Sequence, residues 1–288
     1  MRYMRSLLFV PGNQPHMLQK ALNFHPDGFI PDLEDSVPER SKEEARRITS
    51  ERIPLMAKTG VKVIPRVNAM DTQWLEKDLE AILSDHIFGI SIGKINKVDD
   101  VKLLGSLIDD MERAKGMVYG STKLILWIET ALGLQNAYDI LICSKRIYAA
   151  AFGAEDFTND MLIQRHQDGR EIFFARNAVA VASRAAGVLA LDTPFVGYQD
   201  QDGLMKDAAE AKSIGFKGKF AIHPSQIEPI NACFSPSLEE IQQANQILQA
   251  FKESEKLGKG STSLDGDMID IPVVKRARSL LENAHAMG

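Results

Sequence analysis

The sequence predicts a (β/α)8 TIM barrel, an α/β fold, with a C-terminal helical arm, and three observations carry that prediction. Eight short apolar runs recur along the chain, at 6–10, 28–33, 61–67, 89–92, 123–128, 147–152, 189–192 and 219–222. Segments with helical length and periodicity separate them, at 42–58, 74–83, 98–114, 132–144, 172–186 and 204–214. Each run ends near residues suited to chemistry: Glu34 and Asp35, Arg66 and Asn68, Lys94, Glu129, Glu155 and Asp156, Asp192, and His223. Barrel enzymes place their active sites at the C-terminal ends of the strands, so these residues are the ones to read for function.

Taken in order, the first run is cut off by Pro11-Gly12 and the second leads into Glu34-Asp35. The third, Val63-Ile64-Pro65-Arg66-Val67-Asn68, delivers an arginine to its end, and the fourth stops at Gly93-Lys94. The fifth hands over to Glu129, after which Thr130-Ala131-Leu132-Gly133 turns the chain into a helix. After the sixth, Gly153 permits a close turn into Ala154-Glu155-Asp156. The eighth ends at His223-Pro224-Ser225-Gln226, where His223 serves either as a helix cap or as a contact to substrate. Beyond the barrel, Ser235-Pro236-Ser237 with Glu239 and Glu240 announces a helix over 237–257. A glycine-rich mobile loop is expected over 254–267, and Pro272 opens a terminal helix over 271–284.

These elements divide the 288 residues into a barrel over 1–234 and an arm over 235–288 that packs on a neighbouring subunit. A hydrophobic content of 44% and a charged content of 25% suit a protein with a large core. The net charge of −5 gives no electrostatic case for nucleic acid, and no apolar run approaches the roughly 18 residues of a membrane span. Cys143 and Cys233 lie far apart without metal or redox spacing and are expected to be buried small hydrophobes. Arg2 and Arg5 precede an apolar run too short for a signal-peptide core, so a soluble cytoplasmic protein is expected.

Several carboxylates, one arginine and one lysine at strand ends suit a hard divalent cation holding an oxygen-rich anionic substrate. Glu129 and Asp156 follow neighbouring strands and could reach one ion, and magnesium accepts such a pair while keeping positions for water and substrate. The planar fork of Arg66 could grip a carboxylate or a developing oxyanion, or could be tied to Glu34 or Asp35, and both can hold at once. Lys94 could neutralise bound anion or form a salt bridge, Glu155 borders the same turn as Asp156, and Lys20, Arg40 and Lys42 read as a solvated face at least as readily as a ligand-binding one. Gly258-Lys259-Gly260-Ser261-Thr262 lacks the spaced first glycine and preceding strand of a phosphate loop.

Local strings resemble the citrate lyase β-subunit-like branch of the HpcH/HpaI aldolase family, which includes malyl-CoA and citramalyl-CoA lyases. They are Arg5-Ser6-Leu7-Leu8-Phe9-Val10-Pro11-Gly12, Asp32-Leu33-Glu34-Asp35-Ser36-Val37, Arg66-Val67-Asn68, Glu129-Thr130-Ala131 and Gly153-Ala154-Glu155-Asp156. Further matches are Gly215-Phe216-Lys217-Gly218-Lys219, His223-Pro224-Ser225-Gln226-Ile227 and Met268-Ile269-Asp270-Ile271-Pro272, so the resemblance spans nearly the whole chain.

The resemblance implies an Mg2+-dependent carbon–carbon lyase that splits a 3-hydroxy acyl-CoA into acetyl-CoA and a 2-oxo acid. Its variants are a citryl-thioester lyase subunit fed by an acyl carrier protein, and synthase or thioesterase activity. It implies Glu129 and Asp156 as metal ligands, with Arg66, Glu155, Asp156 and Lys94 contacting substrate. Arg66, Glu34, Asp35 and Asp270 take catalytic roles, Asp270 as an acid/base supplied by the neighbouring subunit of a homotrimer or hexamer. Pro31 and Gly93 depart from the family, which usually has an aliphatic residue and a proline there.

Overall fold

The computed structural model describes residues 3–166, 168–256, 258 and 260–287. Its strands are β1 (Ser6–Pro11), β2 (Gly28–Asp32), β3 (Lys62–Val63), β4 (Arg66–Val67), β5 (Gly89–Ile92), β6 (Lys123–Ile128), β7 (Ile147–Phe152), β8 (Leu189–Asp192) and β9 (Gly218–Ala221). Every neighbouring pair is parallel, and β1 pairs with both β2 and β9, which closes the sheet on itself. β3 and β4 are two pieces of one barrel strand, interrupted where Pro65 has no N–H to donate. The fold is therefore a closed eight-stranded parallel (β/α)8 TIM barrel.

The helices in chain order are α1 (Pro15–Ala21), α2 (Lys42–Ala57), α3 (Leu75–Ile82), α4 (Val98–Ala114), α5 (Ala131–Gln135), α6 (Ala137–Ile142), α7 (Ala154–Asp160), α8 (Phe173–Ala186), α9 (Gln201–Ile214) and α10 (Ile227–Phe234). The helix anticipated over 132–144 breaks into α5 and α6 at Asn136, whose side chain leaves the helix to donate to the Asn96 carbonyl at 2.9 Å. The described residues form two compact units, one within 4–231 and one within 232–287 together with Tyr3.

In the second unit, α11 (Leu238–Lys256) packs on α12 (Ile271–Met287). The stretch expected to be a mobile loop holds instead an antiparallel hairpin, β10 (Thr262–Leu264) and β11 (Asp267–Ile269). Asp265 and Gly266 turn it with φ of 52° and 93°, the two positive values that a tight Asp-Gly turn requires. Leu257 and Lys259 of that expected loop lie outside the described residues. Cys143 and Cys233 are half-buried rather than buried, and neither forms a disulfide.

The barrel interior explains where the site lies. Strand side chains alternate with period two, and the buried inner cluster contains Leu7, Ile30, Ile64, Ile125, Trp127, Ala149, Ala151, Leu191 and Phe220. Within it Trp127 and Phe220, with Phe9 packed against the cluster, form an aromatic layer with ring centroids 4.4 to 5.9 Å apart, anchored by the Trp127 indole donating to Ser91 Oγ at 2.7 Å. Two positions further along the same inward faces stand Asp32, Arg66, Glu129, Gly153 and Thr193. The floor is thus aromatic, and the rim above it carries charged side chains.

Candidate active site

A cavity of about 420 Å³ opens at the C-terminal mouth of the barrel, floored by Phe9 and Trp127 and walled by Asp32, Arg66, Glu129, Asp156 and Thr193. On one side Arg66 is clamped. Its Nε and Nη2 each donate at 2.7 Å to the two oxygens of Asp32, and its Nη1 lies 3.1 Å from Glu34 and 3.0 Å from Asp35. The guanidinium carbon sits 4.8 Å from the centre of the Phe9 ring, so the fork rests on the aromatic floor as well as on carboxylates. Both readings of Arg66 from the sequence are compatible with this: it is ion-paired to Glu34 and Asp35, and it also borders the cavity.

Asp32 is the partner that sequence reasoning did not single out. Burial opposes its ionisation, yet the Arg66 charge and hydrogen bonds from Arg66, Ser36 and Glu34 hold its carboxyl below the usual carboxylate range. Burial likewise works against the Arg66 cation, and Asp32, Glu34 and Asp35 outweigh it, so its pKa is raised. Glu34 differs from both. Desolvation pushes it up to about 7, because the attraction of Arg66 is shared and Asp35 and Asp32 repel it.

The opposite side carries carboxylates without a matching cation. Glu129 is 4% exposed, and among the described residues neither it nor Asp156 forms an ion pair. Burial, then repulsion from Asp156 and Glu34, pushes Glu129 up to about 8, and burial with the charge of Asp35 raises Asp156. The Glu129 carboxylate is held by geometry instead: Oε1 accepts the Lys94 backbone N–H at 2.7 Å. A Cβ at Gly93 would stand 2.5 Å from Oε1, and one at Gly153 would stand 2.3 Å from Oε2. Glycine at 93 leaves the room that this conformation of the Glu129 side chain fills.

Lys94 has φ 57°, an uncommon left-handed conformation for a non-glycine residue, and that conformation aims its N–H at Glu129. Its ammonium is largely exposed; desolvation pulls its pKa down, and Glu34, Asp156, Asp35 and Glu129 together outweigh that and raise it. Glu155 borders the cavity while pairing with Arg165 at 3.0 Å. Among the described residues no three His, Cys, Asp or Glu side chains converge to enclose an ion by themselves. The donor set of two hard carboxylates, Glu129 packed against Gly93 and Gly153 and neither acid ion-paired among the described residues, fits a cation that takes few protein ligands and keeps water and substrate oxygens.

Three residues named at strand ends stand elsewhere. Asp192 faces the helices, where it is buried in an ion cluster: Arg176 reaches it at 2.7 Å, and the Lys219 ammonium bridges Asp192 and Asp207. The in-phase residue of that strand is Thr193, which does wall the cavity and accepts the Ala154 N–H at 3.3 Å. His223 caps the short helix Pro224–Gln226 by accepting the Ser225 N–H, stacks on Tyr198 at 5.0 Å, and lines a separate hollow of about 340 Å³. Asn68 is buried beneath the rim rather than on it. Asp270, in the second unit, caps α12 by accepting the Val273 N–H at 3.2 Å.

Relatives share this architecture. The chain is 36% identical over 285 residues to the citrate lyase subunit beta of Leuconostoc mesenteroides subsp. cremoris, covering 99% of this chain and 94% of that protein. It is 31% identical to the mitochondrial citramalyl-CoA lyase of Mus musculus, covering 96% and 85% respectively. Among solved structures, the protein CitE of Mycobacterium tuberculosis in complex with magnesium, acetoacetate and coenzyme A superposes with a TM-score of 0.82 at 28% identity, covering 98% of each chain. Residues 5–224 match the family description directly, and the chain belongs to the HpcH/HpaI aldolase/citrate lyase family.

Proposed function

We propose that this protein is a magnesium-dependent carbon–carbon lyase that cleaves a 3-hydroxy acyl-CoA of the citramalyl-CoA or malyl-CoA type into acetyl-CoA and a 2-oxo acid. The observation that carries the reading is the asymmetry of the mouth, where a clamped arginine faces two carboxylates, Glu129 and Asp156, that form no ion pair among the described residues. Those two carboxylates hold the metal, which when bound supplies Lewis acidity toward the hydroxyl and carboxylate oxygens of the oxo-acid half. The chain's own groups do the rest.

Arg66 grips the substrate's oxygens and stabilises charge as it develops, on a fork already fixed by Asp32, Glu34 and Asp35. Glu34, pushed up to about 7, exchanges protons near neutral pH and accepts the hydroxyl proton. The bond between the carbinol carbon and the thioester α-carbon then breaks, and its electron pair passes to the thioester enolate. Asp270 of a neighbouring subunit returns a proton to the α-carbon, Glu155 borders the cavity that takes the anion, and Lys94 adds positive charge from beside the same carboxylates. The oligomer is a homotrimer or hexamer in which the C-terminal arm crosses to the neighbour.

A second reading, a citryl-thioester lyase subunit working on a carrier protein, is favoured by the higher identity to citrate lyase subunit beta, 36% against 31% for citramalyl-CoA lyase. The test is an assay of the purified protein with magnesium or with EDTA on citramalyl-CoA, malyl-CoA and citryl-CoA, quantifying acetyl-CoA, free CoA and 2-oxo acid separately. Magnesium-dependent acetyl-CoA with an equimolar 2-oxo acid is the expected result. Free CoA with intact hydroxy acid identifies a thioesterase instead, and inactivity on all three directs the search to carrier-protein substrates.

A further inference from the structure

Lys42, the first residue of α2, is 6% exposed, where the sequence suggested a solvated side chain. All three of its donors are used: the ammonium reaches the Leu33 carbonyl at 2.6 Å, the Glu34 carbonyl at 2.8 Å and Asn68 Oδ1 at 2.6 Å. Asn68 in turn donates to the Leu33 carbonyl at 2.9 Å and to Asp78 at 2.6 Å, and Arg46 closes the chain on Asp78 at 3.2 Å. The contacts of Lys42 are to neutral oxygens, and it has no ion pair among the described residues. A buried ammonium on neutral acceptors is a poor stabiliser compared with an apolar side chain of equal volume. What it does achieve is connection.

The segments it joins both converge on Arg66. Leu33 and Glu34 lie between Asp32 and Asp35, which grip the guanidinium, and Asn68 lies two residues beyond Arg66 itself. We propose that Lys42 is a positioning residue whose ammonium ties the Leu33–Glu34 backbone to Asn68, so that the carboxylates of that loop hold the Arg66 fork where substrate oxygens bind. The inference rests on the reading that Arg66 binds those oxygens.

Calorimetric titration of the full-length chain tests it, first with magnesium alone and then with glyoxylate, pyruvate and oxaloacetate added to the magnesium-loaded protein. In Lys42→Met magnesium affinity stays within about threefold, because Glu129, just after β6, is held by the Lys94 backbone N–H, and Asp156 lies in α7, so neither depends on a hydrogen bond from Lys42 or Asn68. Affinity for the 2-oxo acids falls about 10- to 100-fold, the usual effect of removing the support of a ligating group. Hydrogen exchange at the Leu33 and Val37 amides, bonded to the Arg66 and Glu34 carbonyls at 2.9 and 3.0 Å, accelerates.

Should Lys42→Met fail to fold, Asn68→Ala breaks the tie from its other end and gives the same split. Unchanged oxo-acid affinity in a folded variant, or equal loss of magnesium and oxo acid, overturns the positioning role while leaving the reading of Arg66 intact. Wild-type protein that binds none of the three acids overturns that reading and the positioning role together.

Discussion

The two sides of the barrel mouth are built from the same residue types and reach opposite electrostatic solutions. Around β2 and β4 the carboxylates of Asp32, Glu34 and Asp35 converge on one guanidinium, with Asp32 held below its ordinary pKa. Around β6 and β7 Glu129 and Asp156 are held above theirs, because neither is clamped in an ion pair among the described residues and burial with repulsion from other carboxylates outweighs the more distant pull of Arg66 on both and of Lys94 on Asp156. The arginine side is assembled before substrate arrives and loses little freedom on binding. The carboxylate side carries a folding cost that protonation or an incoming positive charge relieves. A site that is finished on one side and incomplete on the other is what a metal-assisted reaction of an anionic substrate requires.

The strongest way to break that contrast is Glu129→Gln. On the proposed reading this removes a direct ligand and lowers magnesium affinity by about 100-fold or more, beyond the roughly 10- to 100-fold that outer-shell changes cost. The pH dependence fixes the sign. With a pKa of about 8, Glu129 is mostly protonated at pH 7, so the cation must expel that proton. Magnesium affinity therefore rises with pH and levels off above about 8, with proton release approaching one at pH 7 in calorimetry across buffers of different ionisation enthalpy. In the metal-free protein the raised pKa means that the folded state binds more protons than the unfolded state between the ordinary carboxylate range and about 8. Stability falls over that interval, and Glu129→Gln, which cannot ionise, is more stable than wild type above it. Wild-type binding without proton release would show that Glu129 is already ionised and that the two sides are more alike than argued.

Arg66→Lys probes the finished side. The substitution keeps one positive charge but removes the fork that bonds both oxygens of Asp32, leaving a point charge among three carboxylates. Turnover in the lyase assay falls about 100- to 1,000-fold, the usual effect of losing one aligned donor to a developing oxyanion, while magnesium affinity stays within about threefold. A variant that loses metal and turnover in parallel would merge the two sides into one unit.

Much of this was legible in the sequence because strand alternation is rigid. Ile125, Trp127 and Glu129 share one face, so a glutamate two places beyond a buried tryptophan had to face the mouth. The same rule corrects what was misread. Asp192 is out of phase with Leu189 and Leu191 and so belongs to the helix side, and Thr193 is the residue that faces inward. Asp32, in phase with Ile30, is the inward acid of β2, while attention went to the loop residues after it. Lys42 was not legible at all: nothing in a polar stretch before a helix indicates that its ammonium is buried on two backbone carbonyls. The left-handed backbone of Lys94 and the fit of Glu129 between two glycines are likewise products of tertiary packing.

Glu155 and Asp156 give the smallest effect and the finest resolution, since adjacent carboxylates in one helical turn are assigned to different tasks. Glu155 has a side chain 62% exposed and pairs with Arg165, which also holds Glu171. In Glu155→Gln the arginine keeps Glu171, and an exposed ion pair is lost, so thermal stability changes by no more than about 0.5 kcal/mol. kcat/KM stays within about twofold, because Glu155 contributes edge charge to the cavity rather than a ligand. A tenfold fall in kcat/KM would put Glu155 on the substrate itself. The incomplete side would then comprise three acids, and the balance of charge there would need more than one divalent cation with its bound substrate to close.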